Sequence, residues 1–128
     1  RRSSDLALVP ALWTLCVTMG ALALMGLPIS VGTSMISCIA MGAGVDFAIH
    51  LGFRARRFTG PEPGQRAVDE IGVVTLISAL QLGCAFLVLM ASEMAPLREF
   101  GMGLALGLVL AALGACWLVP SLYRGRRA

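Results

Sequence analysis

The sequence contains few charged side chains. Of its 128 residues, 13% are charged and 58% are hydrophobic, whereas soluble domains have about 25% charged and about 45–50% apolar residues. Lysine is absent, so all ten basic residues are arginines. This shortage of charge argues against an ordinary soluble domain and predicts a membrane protein.

The arginines do not form the basic surface that binding to nucleic acid requires. The formal net charge is +3. The arginines nevertheless lie between or outside the apolar stretches, where they flank membrane helices and do not line a groove. We therefore expect no nucleic-acid partner.

The sequence also lacks paired cysteines. Its four cysteines fall one in each of four apolar stretches, with no CxxC pair and no histidine at zinc-binding spacing. We interpret them as small hydrophobic side chains that pack, and we expect no disulfide, no metal site and no cofactor. These cysteines are Cys16, Cys38, Cys84 and Cys116.

Four apolar stretches are long enough to cross a membrane as helices. About 20 predominantly apolar residues span a bilayer core of about 30 Å. Pro28 and the neighbouring glycines end the first stretch, and Pro120 follows the last. The sequence therefore predicts an all-α, polytopic transmembrane helical bundle, a single domain over 1–128 with spans at about 6–26, 34–53, 71–92 and 97–118.

The distribution of arginine predicts the orientation of these spans. Short loops that carry positive charge stay in the cytoplasm. Nine of the ten arginines precede the first span, follow the fourth or lie in the 54–70 loop, and only Arg98 lies on the other side. We therefore expect a multi-pass protein of the cell membrane with both termini and the 54–70 loop in the cytoplasm.

The second span carries small and polar residues at every fourth position, which places them on one slowly drifting face of a helix. Asp46 lies inside the hydrocarbon, where a charged carboxylate costs about 2.5–3.5 kcal/mol. Because desolvation favours the neutral acid, a carboxyl that alternates between dry and wet surroundings takes up and releases a proton. We call this face the polar row; it comprises Ser34, Cys38, Gly42, Asp46, His50 and Arg54.

Asp46 is therefore the leading candidate for a proton relay, and a permanently neutral Asp46 that bonds to a neighbouring helix is the alternative. His50 is the second candidate, as a carrier of protons between the cytoplasm and Asp46 or, alternatively, as an interface residue. Candidate partners of Asp46 in the third span are Thr75, Ser78 and Gln81. The alternative interpretation of these three side chains is ordinary interhelical hydrogen bonding, which contributes about 0.6–2 kcal/mol.

Several glycines predict close contacts between helices. Gly42 and Gly44 let another backbone approach the region of Asp46, since small residues bring membrane helices together. In the fourth span Gly103 and Gly107 begin a ridge of small residues that continues to Gly114. We expect this ridge to be a packing face without chemistry.

The segment "MGAGVDFAIHLGFRARR" resembles the fourth or tenth transmembrane helix of the resistance-nodulation-division superfamily, and in particular of its MMPL-like lipid exporters. Three further segments are similar to the helices around it. "RRSSDLALVPALWTLCVTMGALALMGLPIS" is similar to the preceding helix, "AVDEIGVVTLISALQLGCAFLVL" to the next one, and "APLREFGMGLALGLVLAALGACWLVPSL" to the last helix of a half. The resemblance covers nearly the whole chain.

Members of this family have twelve membrane helices in two similar halves, and they export hydrophobic molecules by proton flow through intramembrane acids. The resemblance implies that Asp46 is the relay carboxyl. It also implies contact with the lipid bilayer, protons, a hydrophobic or lipid substrate and the other half of the transporter; a homo-oligomer is left open. Two departures are Phe47, where the family often has tyrosine, and Gln81-Leu82, where it commonly has two threonines.

The resemblance also implies that this chain is a membrane-domain fragment, the last four helices of one half. The short basic tail after Pro120 favours the C-terminal half. The leading functional prediction is therefore a proton-driven exporter. The alternative is a sterol-sensing-like domain that binds or senses lipid without pumping. An enzyme is not expected, because "GAGVD" only superficially resembles the motif of membrane aspartyl proteases and no second aspartate lies within the spans.

Overall fold

The computed structural model describes the backbone of residues 2–125 and the side chains of residues 8–124. The described chain consists of helices joined by short non-helical connections and contains no strand. A π-helical turn at Val68–Gly72 precedes α4, and a 3-10 turn at Val88–Ala91 follows it. The α-helices are α1 (Arg2–Leu24), α2 (Val31–Arg56), α3 (Pro63–Ala67), α4 (Val73–Leu87) and α5 (Ala95–Gly125).

Three helical segments are long and apolar enough to cross a membrane, namely Val31–Arg56, Pro63–Ala91 and Ala95–Arg124. The part of α1 whose side chains are described, Leu8–Leu24, is also apolar but is shorter than these three segments. The whole helix has 23 residues, which falls within the roughly 17–25 residues of a spanning helix. The prediction of an all-α, multi-pass membrane bundle is confirmed.

The turn between α1 and α2 follows from local sequence signals. Gly26 has a φ of +71°, a left-handed conformation that glycine adopts without steric cost. The backbone N–H groups of Gly26 and Leu27 bond back to Ala23 O and Leu22 O, which closes the end of α1. Ser30 then starts α2 with a reciprocal capping box to Thr33.

Helix α5 is the central element of the bundle. It packs against α1, α2 and α4, and the 3-10 turn at Val88–Ala91 also contacts it. Helix α2 packs against α1 and α5, whereas the main neighbour of α4 is α5. Helix α5 therefore lies between α2 and α4, which share almost no contacts among the described residues.

Glycines on α5 bring the neighbouring helices close. A Cβ atom built on Gly107 would lie 3.0 Å from the Cβ of Ala40, and one built on Gly103 would lie 2.8 Å from Cδ1 of Ile36. Both distances are tighter than ordinary van der Waals contact. A larger side chain at Gly107 would push α2 away from α5, because the Cβ of Ala40 cannot move without its backbone, whereas Cδ1 of Ile36 is the end of a flexible side chain.

The bundle core consists of two apolar clusters, one toward each end. The first lies near the turn between α1 and α2 and consists of Leu22, Ile36 and Leu104. The second lies where the C-terminal turns of α2 and α5 meet α3, which we call the arginine-rich end, and consists of Leu51, Ala115 and Val119.

Helix α5 continues beyond the predicted end of the fourth span. The sequence predicted an end near residue 118 because proline lacks the backbone N–H that an interior helical residue donates. In the structure α5 runs through Pro120 to Gly125. Helix α3 packs closely on this last part, since a Cβ built on Gly64 would lie 2.8 Å from the Cα of Pro120. Tertiary packing therefore stabilises the extension.

Replacement of Gly107 by leucine is expected to destabilise the bundle by about 1–3 kcal/mol, because an overpacked core must shift its helices. Gly20→Leu on α1 is the matched control, since no atom lies within 4 Å of a Cβ built there. Thermal unfolding of the protein in detergent measures both variants. Equal unfolding temperatures for the two would contradict the close α2–α5 contact.

Candidate functional site

The polar row lies on the outer surface of the bundle. The side chains of Ser34, Cys38, Asp46 and His50 are exposed, and Arg54 is half-buried. The opposite face of α2 is buried against α1 and α5. It is formed by Thr33, Ile36, Ser37, Ala40, Gly44, Ala48, Leu51 and Ala55. Helix α2 therefore turns the side chains of Asp46 and His50 away from the other described helices.

Asp46 lies well inside the helix that carries it. The rise of about 1.5 Å per residue places it about 15 Å from Arg56 and about 22 Å from Val31 along the axis of α2. His50 lies one turn closer to the arginine-rich end. Asp46 therefore lies within the apolar part of a spanning helix, and His50 lies between it and the charged terminus.

Asp46 and His50 have no partner within the part of the chain whose side chains are described. No hydrogen bond, ion pair or other electrostatic contact involves either side chain there. Among the described residues, only the helix that carries them positions these two side chains.

The three predicted partners of Asp46 lie elsewhere in the bundle. The Thr75 hydroxyl is buried and donates to Ile71 O at 3.0 Å, and the Ser78 hydroxyl donates to Val74 O at 2.9 Å. Gln81 is exposed on α4. Because α5 separates α4 from α2, the structure brings none of the three to Asp46 within the described chain.

The two glycines near Asp46 lie on opposite faces of α2. A Cβ built on Gly44 would lie 2.5 Å from Oγ1 of Thr14, which shows that α1 and α2 are in close contact there. Nothing lies within 4 Å of a Cβ on Gly42, which shares the exposed face with Asp46. Gly44 therefore packs within this chain, and Gly42 leaves open space beside the acid.

Phe47 lies apart from the polar row although it follows Asp46 in sequence. Its ring is partly buried and packs against the cluster that contains Leu51 and Ala115. A side chain at position 47 therefore contributes to the inner packing of α2.

The sequence pattern did not reveal the hydroxyl groups buried between α1, α2 and α5. Thr14, Thr18 and Ser37 are at most 2% exposed. The Ser37 hydroxyl donates to Thr33 O at 3.0 Å, whereas Thr18 Oγ1 has no hydrogen-bond partner among the described residues. The small-residue spacing of Ser37, Ala40 and Gly44 was the available signal for this inner face.

Polar contacts at the arginine-rich end were also not predicted. Arg54 donates to Glu70 through both Nε, at 2.7 Å, and Nη2, and so forms a bidentate ion pair. The Tyr123 hydroxyl donates to Gly52 O at 3.3 Å. A second ion pair joins Arg124 to Glu62 at 3.1 Å. The first two contacts fasten the C-terminal end of α2 to the π-helical turn and to α5, and the third joins the end of α5 to the residue before α3.

No group of three or more potential metal ligands occurs among residues with described side chains. A cleft at the arginine-rich end is lined by Glu62, Gly64 and Tyr123 together with their neighbours, and none of its lining residues belongs to the polar row. Asp46 and His50 therefore lie on the open surface of the described chain, outside this cleft.

The sequence is similar to known membrane proteins over nearly its whole length. The model of the MMPL family matches residues 6–127. A predicted membrane protein of Methanocaldococcus jannaschii is 29% identical over 125 residues, which cover 94% of this chain and 32% of that relative. The chain thus spans about a third of the length of this curated relative. No solved structure matches the chain.

Asp46→Asn is expected to change the free energy of unfolding by no more than about 0.5 kcal/mol, because an exposed side chain without partners contributes little. Leu51→Ala on the same helix removes a fully buried side chain and is expected to cost about 2–5 kcal/mol. Thermal unfolding in detergent compares them. A large loss of stability in Asp46→Asn would show that this carboxyl supports the fold.

Proposed function

Because the chain belongs to the MMPL family, we propose that it forms part of the membrane domain of a proton-driven exporter of lipids or other hydrophobic molecules, with Asp46 as the proton-relay carboxyl. One observation carries this proposal. Asp46 lies deep in the long apolar helix α2, and its side chain is exposed on the outer face without a partner among the described residues.

The position of Asp46 supports an interface with further membrane helices. An ionisable side chain within the hydrocarbon almost always faces a bundle interior or a water-filled cavity, since exposure to lipid costs several kcal/mol. The described helices leave Asp46 uncovered. We therefore propose that the other half of the transporter covers the polar row. Gly42 supports this arrangement, because the space beside it is open to an approaching helix.

The order of groups along α2 supports a route for protons. His50 lies between Asp46 and the arginine-rich end, and imidazole exchanges protons near neutral pH. We propose that protons pass between Asp46 and the cytoplasm by way of His50. In this orientation both termini and the 54–70 loop lie in the cytoplasm, as the positive-inside rule predicts.

The proposed role is transport without covalent chemistry on the substrate. Asp46 is the single aspartate within the four predicted spans, so these spans offer no second aspartate for a catalytic pair. The lipid or hydrophobic nature of the substrate follows from the family resemblance. The proton, in contrast, is proposed from a specific side chain of this chain, Asp46.

Asp46→Asn is expected to abolish proton-coupled export, because an amide has the shape of the carboxyl but does not take up a proton. The measurement uses the full-length transporter in vesicles with a pH gradient and follows proton flux with an internal pH dye and export with a fluorescent lipid. Asp46→Glu is expected to retain part of the activity.

Asp69→Asn is the matched control, because Asp69 is an exposed acid at the arginine-rich end without a partner among the described residues. It is expected to transport like the wild type. Undiminished coupling in a correctly inserted Asp46→Asn protein would contradict the relay. It would instead favour the sterol-sensing-like function, in which lipid is bound but not pumped.

His50→Gln is expected to reduce export less than Asp46→Asn does and to displace its dependence on pH. An unperturbed imidazole changes charge between about pH 5 and 8, and glutamine does not titrate. Export rates of both proteins across this range provide the measurement. A pH profile that coincides with that of the wild type would assign His50 to the interface alone.

A further inference from the structure

The bidentate ion pair between Arg54 and Glu70 joins α2 to the helical segment 63–91, which also packs on α2 through α3 and through apolar side chains around Leu51. Arg54 ends the polar row on α2, and Glu70 lies in the π-helical turn at Val68–Gly72. Among residues 8–124 no other hydrogen bond or ion pair joins a side chain of α2 to the helical segment 63–91. The pair is therefore the polar link between the helix of Asp46 and the segment that contains α4.

Glu70 lies within the π-helical turn at Val68–Gly72. Such a turn contains one more residue than an α-helical turn, which rotates the following side chains by about 100° relative to a regular α-helix. Single π-helical turns are frequent at functional sites. Arg54 is thus bound by a residue that lies in a local departure from regular helix.

The ion pair is too exposed to be a major source of stability. The side chains of Arg54 and Glu70 are 36% and 43% exposed. Exposed pairs change a folding equilibrium by about fivefold at most. Bidentate geometry fixes the orientation of both partners, so the pair is better suited to setting the position of α2 than to holding the fold together.

We propose that Arg54 and Glu70 form a brace that sets the position of the C-terminal half of α2, and with it the direction of Asp46 and His50. Both residues are positioning residues; neither takes the proton. The brace deepens the proposed function and rests on it, because its consequence for transport requires Asp46 to be the relay.

The transport test compares this pair with the Arg124–Glu62 pair, which also lies at the arginine-rich end but does not involve α2. Glu70→Gln and Arg54→Gln in the full-length transporter are expected to slow proton-coupled export about tenfold or more, since a misplacement of about 1 Å can cost about 10²-fold. The charge-swapped protein R54E/E70R is expected to recover most of the rate. Glu62→Gln and Arg124→Gln are expected to stay near the wild-type rate.

The second test measures helix position directly and does not depend on transport. The native cysteines are replaced, and spin labels are attached through Ile49→Cys on α2 and Leu80→Cys on α4, both of which replace exposed side chains. The distance distribution between the labels is expected to shift or broaden in Glu70→Gln. It is expected to return in R54E/E70R and to stay unchanged in Glu62→Gln.

The brace is supported when both export and the label distance change in Glu70→Gln and both recover in the charge-swapped protein. Any other combination overturns it, and so does an equal effect of Glu62→Gln. Normal proton coupling in Asp46→Asn would show separately that the relay hypothesis is wrong. In that case the distance between the labels still decides whether the Arg54–Glu70 pair positions α2.

Discussion

The close approach of α5 to its neighbours is the contact on which the rest of the structure depends. Lipid tails are as apolar as leucine, so burial of apolar surface contributes little to the association of membrane helices. Tight packing of small residues drives their association instead. Gly107 meets Ala40 on α2, and Gly83 on α4 lies 3.7 Å, measured from a built Cβ, from Ala105 O. Helix α5 can therefore pack against α2 and α4 at the same time.

This packing determines the direction of the polar row. Helical periodicity links the two faces of α2, because a helix that turns Ala40, Gly44 and Leu51 inward must turn Gly42, Asp46 and His50 outward. The same packing places α5 between Asp46 and the hydroxyls of α4. An acid on the outer face of a spanning helix then needs protein or water from beyond the described chain.

Much of the fold follows from the sequence, and less of the site does. Apolar length predicted the membrane helices, and four-residue spacing placed Asp46 and His50 on one face. The inward face of α2 could not be predicted, because small residues occur on both sides and Gly42 and Gly44 look alike in sequence. The Arg54–Glu70 pair could not be predicted either, because no local sequence pattern indicates a contact between charged side chains that are distant in sequence. The π-helical turn that contains Glu70 has no recognisable sequence pattern here either.

The two faces of α2 separate the requirements of the fold from those of the proposed transport site. The inner face is small, apolar or hydroxyl-bearing, and its side chains are fixed by packing against α1 and α5. Asp46 and His50 on the outer face are held by no partner among the described residues, so their positions depend wholly on the backbone that carries them. Contacts that orient this backbone, both the inner packing and the polar contacts at the arginine-rich end, therefore position the two ionisable groups without touching either one.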